Sequence, residues 1–204
     1  PLNNRAVMGY APGSVFKLVT AYAALNEEIT NKSRLILCTG IWYGLGRDFP
    51  KSCWASGGHG ALNIVGAIKN SCDIYFYELG YELFLKNKNA DELLQKYAKI
   101  FGFGNATGID LSIEEHGVIP DSKWKKEFFK EQKDKTIWFP GDSVNMAIGQ
   151  GDILVTPLQM ALAYSILANH GLKYTPHVGL EIKDALGNNL ATLGDNAPLD
   201  LEMN

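Results

Sequence analysis

No stretch of this 204-residue sequence approaches the roughly 18 consecutive apolar residues of a membrane-crossing helix. It also opens at Pro1 with neither a methionine nor a charged-then-apolar leader. The chain is therefore expected to be an excised piece of a longer protein, whose location in the cell has to follow from its function. A basic surplus is missing too: the net charge is -3 and the Lys and Arg residues are scattered, which excludes a nucleic-acid partner. Internal repeats, low-complexity tracts and Pro/Ser-rich linkers are absent, so one domain over residues 1–204 is expected. At 46% hydrophobic and 20% charged residues, the composition is that of a globular chain with one core, neither disordered nor fibrous.

What is present reads mostly as helix. Residues 14 to 25 (SVFKLVTAYAAL) are apolar on nearly every face except at Lys17 and Thr20, which predicts a helix buried mid-domain, punctuated by Pro12 and Gly13. Residues 61 to 69 and 73 to 86 give two more helical patterns, broken around Asn70 to Cys72. A further helix is expected from Asp91 to Phe101, stopped by Gly102. Thr156-Pro157 supplies a cap and a first-turn proline for a helix that ends at Gly171. From His177 to Leu193 the pattern alternates around Gly187-Asn188-Asn189, predicting two short strands and a turn. The strands are thus expected to concentrate at the end of the chain.

Chemistry enters at Tyr10-Ala-Pro-Gly-Ser14-Val-Phe-Lys17. On a helix, residues three apart share a face, so the Ser14 hydroxyl and the Lys17 amine come within reach of each other. Serine needs an adjacent base to act as a nucleophile, and a lysine serves only where its ammonium is destabilised. Burial and the positive end of a helix both act in that direction, and the Ser14 N–H is placed to meet an oxyanion. The same spacing also fits an N-capping serine followed by a surface lysine. Ser71-Cys72-Asp73, in the break between two helical patterns, adds a second hydroxyl and a carboxylate.

Ser-x-x-Lys followed by a Ser-x-Asn-like triplet resembles the signature of penicillin-binding proteins and serine β-lactamases. The wider blocks NRAVMGYAPGSVFK, CWASGGHGALNIVGAIKNSCDIYFYELG, FGFGNATGIDL and AIGQGDILVTPLQMALAY resemble, from about residue 4 to about 178, the elongation-type class B enzymes usually called penicillin-binding protein 2. The resemblance implies an α+β fold, here the mainly helical portion of a transpeptidase domain with much of its sheet missing. It implies that Ser14 attacks the penultimate D-alanine carbonyl of a peptidoglycan stem peptide, that Lys17 takes its proton and that Ser71 relays a proton to the leaving group. Asp73 stands where many relatives have asparagine; it can only accept where an amide also donates. Further implied are acylation by β-lactams, partners such as the scaffold MreC and the glycosyltransferase RodA, and a parent anchored at the periplasmic face of the bacterial inner membrane.

The family's third motif, Lys-Thr/Ser-Gly, occurs nowhere in the chain; Thr39-Gly40 and Thr107-Gly108 follow no lysine. Without that strand edge, which supplies an oxyanion donor and a cationic grip on substrate, the piece is expected to be acylated weakly or not at all, one lost donor costing about 10²- to 10³-fold.

Cys38, Cys53, His59 and Cys72 fall close together in sequence, and three thiols with an imidazole make a closed tetrahedral zinc set. The alternative is a Cys38–Cys53 disulfide suited to an oxidising compartment, with Cys72 a buried thiol and His59 a turn residue. The family resemblance leans towards structural zinc, which would clamp Ser71 and Asp73 through Cys72. His116, His170 and His177 read as loop or cap residues. Trp42, Trp54, Trp124 and Trp138 read as packing, with Trp42 and Trp54 as exceptions if the metal loop borders the site. Two other functions stay open: a β-lactamase using Glu114 or Glu115 to activate water, and a non-catalytic docking or sensing module.

Overall fold

A computed structural model describes residues 4–87, 92–194 and 196–203, and no helix in them is long and apolar enough to cross a membrane. The chain forms two compact units, one of residues 11–98 and 119–153, the other of residues 1–10, 99–118 and 154–204.

The first unit is built around buried helices. A 3-10 turn, Gly13–Phe16, runs into α1 (Lys17–Asn26). The four strands β1 (Ile36–Cys38), β2 (Ile41–Trp42), β3 (Lys51–Ser52) and β4 (Gly60–Leu62) follow, paired antiparallel as β1 with β4 and β2 with β3. Then come α2 (Ile64–Lys69), α3 (Asp73–Lys86), α4 (Leu93–Ile100), α5 (Ser122–Phe128) and α6 (Pro140–Met146). On α1, Val19, Thr20, Ala21, Ala23 and Ala24 are all buried, and small residues let it sit deep in the unit. Thr20, fully buried, satisfies its hydroxyl by donating to Ala147 O at 2.8 Å. The core joins α1, α3 and α6 through Ala21, Ala24, Ile74, Tyr75, Phe76, Leu79 and Val144, and it includes Cys38, Cys53 and Cys72.

The second unit carries α7 (Pro157–Ala168), β5 (Leu172–Lys173) paired with β8 (Leu199–Asp200), and the hairpin of β6 (Glu181–Lys183) with β7 (Asn189–Thr192). Its α7 starts on a reciprocal cap: Gln159 N donates to Thr156 Oγ1 at 3.0 Å and Thr156 N to Gln159 Oε1 at 2.9 Å. The Gln159 amide then donates to Asn105 O and His116 O, both at 2.8 Å, although the residue is only 1% exposed. Gln159→Met keeps the bond from its backbone N–H to Thr156 Oγ1 but leaves Thr156 N and both carbonyls without their partner, so it is expected to lower stability by about 2–4 kcal/mol. Urea unfolding with an unchanged slope checks this; a loss under about 0.5 kcal/mol refutes it.

Several expectations are corrected. The helix predicted over 61–69 begins only at Ile64, because residues 60 to 62 pair with β1 and Asn63 caps α2 by accepting from Gly66 N at 2.9 Å. The strands do not concentrate at the end: among the described residues, four of the eight precede α2. They are two or three residues long, too short for an alternation to be visible. The helix predicted from residue 14 is a 3-10 turn until Lys17, and Ser14 caps neither segment, those positions being Pro12 and Phe16. The predicted start at Asp91 lies outside the described residues. The α3 bounds, the α7 start and the tail hairpin agree with the sequence reading.

Candidate active site

The lysine at the head of α1 is the hub of the first unit. Lys17 Nζ lies 3.1 Å from Ser14 Oγ, 3.1 Å from Ser71 Oγ, 2.9 Å from Ser71 O and 2.6 Å from Asp73 Oδ1. It is 3% exposed, with the buried ring of Phe76 5.7 Å below the ammonium. An ammonium has three protons, so four acceptors cannot all be satisfied at once. At any moment one of the four contacts shares a proton with another or goes without one.

Local backbone choices place each group. Ser14 reaches Nζ because the 3-10 turn stacks residues three apart more directly than an α-turn does. The Ser14 loop is tied down by Gly13 N donating to Gly149 O at 2.8 Å. Gly149 has φ +71°, and a β-carbon there would stand 2.1 Å from Gly13 O, so only glycine fits this crossing. Ser71 sits at φ +49°, left-handed for a residue with a side chain, which costs about 1–3 kcal/mol. That kink turns the chain from α2 into α3, aims Ser71 Oγ and Ser71 O together at Lys17, and leaves Asp73 as the first residue of α3. A carboxylate there is favoured by the helix dipole. Its Oδ2 accepts from Trp54 N at 3.1 Å.

Beside this hub, Cys38, Cys53, His59 and Cys72 place three sulfurs and an imidazole nitrogen within 4.8 Å of one another. All three cysteines are free and buried. His59 Nδ1 is 3.5 Å from Cys38 Sγ and 3.6 Å from Cys53 Sγ, while its Nε2 is buried without a hydrogen bond. A tetrahedral zinc, at about 2.3 Å from sulfur and about 2.1 Å from nitrogen, spaces such ligands about 3.6 Å apart. The donor set therefore suits that ion. Glycines at 40 and 58 let the two backbone segments cross: a β-carbon on Gly58, at φ +75°, would lie 2.2 Å from Cys38 O. Burial raises the Cys38 thiol, but N–H groups of Gly40 and His59 and the His59 and Cys72 side chains outweigh it, bringing Cys38 down to about 7. Burial and the neighbouring sulfurs push Cys72 up to about 12. A cation bound by these sulfurs would favour their thiolate forms.

Chain segments up to 56 residues apart converge on Lys17, and the chain that carries them has known relatives. Residues 1–200 match the model of the penicillin-binding protein transpeptidase domain. The chain belongs to that family. It is 38% identical over 179 residues to the peptidoglycan D,D-transpeptidase MrdA of Acinetobacter baumannii, covering 87% of this chain and 25% of that protein. The Escherichia coli MrdA is 35% identical over the same length, covering 87% of the chain and 26% of the relative. The chain thus spans about a quarter of the length of these curated relatives. Among solved structures, penicillin-binding protein 2 in complex with MreC from Helicobacter pylori is similar with a TM-score of 0.75 and 35% identity, over 86% of this chain and 31% of that one. Pseudomonas aeruginosa penicillin-binding protein 2 in complex with WCK 5153 gives a TM-score of 0.77 at 29% identity, over 95% and 42%. The α+β fold expected from the sequence is that of these transpeptidase domains.

Glu114 and Glu115 are engaged by backbone, accepting from Thr107 N at 2.9 Å and Gly9 N at 2.7 Å. His177 Nδ1 donates to Gly179 O, and His170 takes φ +54° after α7. Trp124 stacks on Phe128, and Trp138 donates to Ser143 Oγ. Trp42 is buried and donates to Glu78 at 2.6 Å. Trp54 alone of the four tryptophans reaches the hub, a role that Cys53-Trp54 adjacency signalled only through the metal loop.

Proposed function

We propose that this chain forms the nucleophile-bearing part of a peptidoglycan D,D-transpeptidase, working through an acyl-enzyme on Ser14. The observation that carries the reading is the single buried amine within 3.1 Å of both serine hydroxyls and paired with Asp73. A proton passing from Lys17 to Asp73 along their 2.6 Å contact leaves the amine a lone pair for the Ser14 proton. Ser14 Oγ then attacks the penultimate D-alanine carbonyl, forming the C–O bond as its proton moves to Lys17 Nζ. The tetrahedral intermediate collapses by breaking the C–N bond, and Lys17 returns a proton through Ser71 Oγ to the departing D-alanine nitrogen. An amine of a second stem peptide then displaces Ser14 by the reverse sequence, making the cross-link. β-Lactams, sharing the acyl-D-Ala-D-Ala shape, would stop at the ester.

Cys38, Cys53, His59 and Cys72 would hold a structural zinc, supplying a cross-link between the β1–β4 loops and the residue between Ser71 and Asp73. By analogy with the H. pylori complex, a surface of the full-length protein would bind MreC, and RodA would be the partnering glycosyltransferase. The reading places the protein at the periplasmic face of the inner membrane. It is tested by incubating the full-length protein with donor stem pentapeptide and an acceptor amine. Release of D-alanine with formation of the cross-linked product, both blocked by prior benzylpenicillin, is the expected result. D-Alanine release with water as sole acceptor, or rapid nitrocefin turnover, would replace transpeptidation by hydrolysis.

A further inference from the structure

We propose that Trp54 is a positioning residue, which transmits the fixed geometry of the Cys/His cluster to the lysine hub by holding the strained Ser71 peptide. The proposal rests on the transpeptidase reading of that hub. Trp54 follows Cys53 directly, and its ring stands edge-on to His59 with centroids 5.1 Å apart. Its backbone N–H donates to Asp73 Oδ2 at 3.1 Å. Its indole N–H is shared between Asn70 O at 3.1 Å and Ser71 O at 3.2 Å. Ser71 O is the carbonyl that also accepts from Lys17 Nζ. One residue therefore touches the cluster on one side and two of the three residues bound to the catalytic amine on the other.

Burial does not explain this placement. Trp54 is 68% exposed, so the ring removes little apolar surface from water, yet its polar edge points inwards. Its inward target is the one non-glycine residue in this loop with a positive φ. A left-handed serine relaxes towards the β or α region unless its surroundings hold it, and relaxation would rotate both Ser71 O and Ser71 Oγ away from Lys17. A misplacement of about 1 Å at a reacting group is worth about 10²-fold in rate.

Trp54→Phe keeps an aromatic ring beside His59 and the backbone donor to Asp73, and deletes the indole N–H together with the pyrrole ring that carries it. In the full-length protein, the acylation rate constant at saturating fluorescent penicillin is expected to fall about 10- to 100-fold. The non-covalent dissociation constant, zinc content and melting temperature should stay at wild-type values. In a Ser71→Ala background, Trp54→Phe should cost less than in the wild type, because the part of its effect that runs through Ser71 Oγ is already lost. Acylation by Trp54→Phe within twofold of wild type overturns the proposal, as does an undiminished effect in the Ser71→Ala background. Wild-type protein that is not labelled at all sinks the transpeptidase reading itself. Independently of labelling, the Trp54 indole proton should exchange with solvent more slowly by NMR than that of free tryptophan; equal rates overturn the positioning role.

Discussion

Ser14→Ala is expected to abolish covalent labelling of the full-length protein by fluorescent penicillin, a loss on the order of 10³-fold or more, while the melting temperature stays close to wild type. The two readouts separate because Ser14 is exposed and contributes one contact to Lys17, which retains Asp73 and Ser71. Lys17→Ala should lose labelling as completely, since nucleophile and base act as one unit and their losses do not add. It should also be the less stable variant. Lys17 is 3% and Asp73 15% exposed, so deleting the cation strands a largely buried carboxylate, at a typical cost of about 3–5 kcal/mol. A Lys17→Ala protein as stable as wild type would mean that the pair is better solvated than its burial indicates. Residual labelling of Ser14→Ala at the wild-type rate would place the nucleophile elsewhere.

Ser14 and Lys17 stood out because their spacing is local and the face-sharing of residues three apart holds in either helix type. That Ser14 would lie in a 3-10 turn was not legible, since periodicity does not distinguish the two over four residues. Ser71 and Asp73 appeared as a break in helical pattern, yet the left-handed backbone at Ser71 has no signal in a serine; a glycine there would have shown it. The short strands β1 to β4 are set by long-range pairing and by the close crossing at Gly40 and Gly58, tertiary facts with no period. The assignment of residues 61 to 63 to helix failed for that reason. Conversely, α7 was legible to the residue at its start, because Thr156, Pro157 and Gln159 encode the cap locally. Trp54 was read chiefly as packing because composition cannot tell an aromatic that buries its face from one that aims its N–H.

Removal of the zinc proposed for the Cys/His cluster, by chelation of the purified full-length protein, is expected to lower its melting temperature sharply and to slow penicillin acylation in parallel, with readdition of zinc restoring both. The native protein should carry about one equivalent of zinc, and its three thiols should react with a disulfide reagent only after chelation. The size of the effect follows from what else holds residues 36 to 62. The pairs β1–β4 and β2–β3 are two or three residues long, and two-stranded pairs of that size are marginal in water. Site closure at Cys38, Cys53 and His59 would then supply most of the order in this segment, and binding free energy at such a site is folding free energy. The proposed zinc would be coupled to acylation through Cys72, which is fully buried between Ser71 and Asp73 and is the residue preceding α3. Cys72→Ser should therefore slow acylation although its side chain touches no reacting atom. A disulfide predicts the reverse: no zinc, mild Cys72→Ser, and a Cys38–Cys53 peptide in a non-reducing digest. Forming that bond requires the two sulfurs to close to about 2.0 Å. Recovery of that cross-linked peptide from metal-free, fully folded and normally acylated protein would remove the zinc site and, with it, the link from cluster to catalysis.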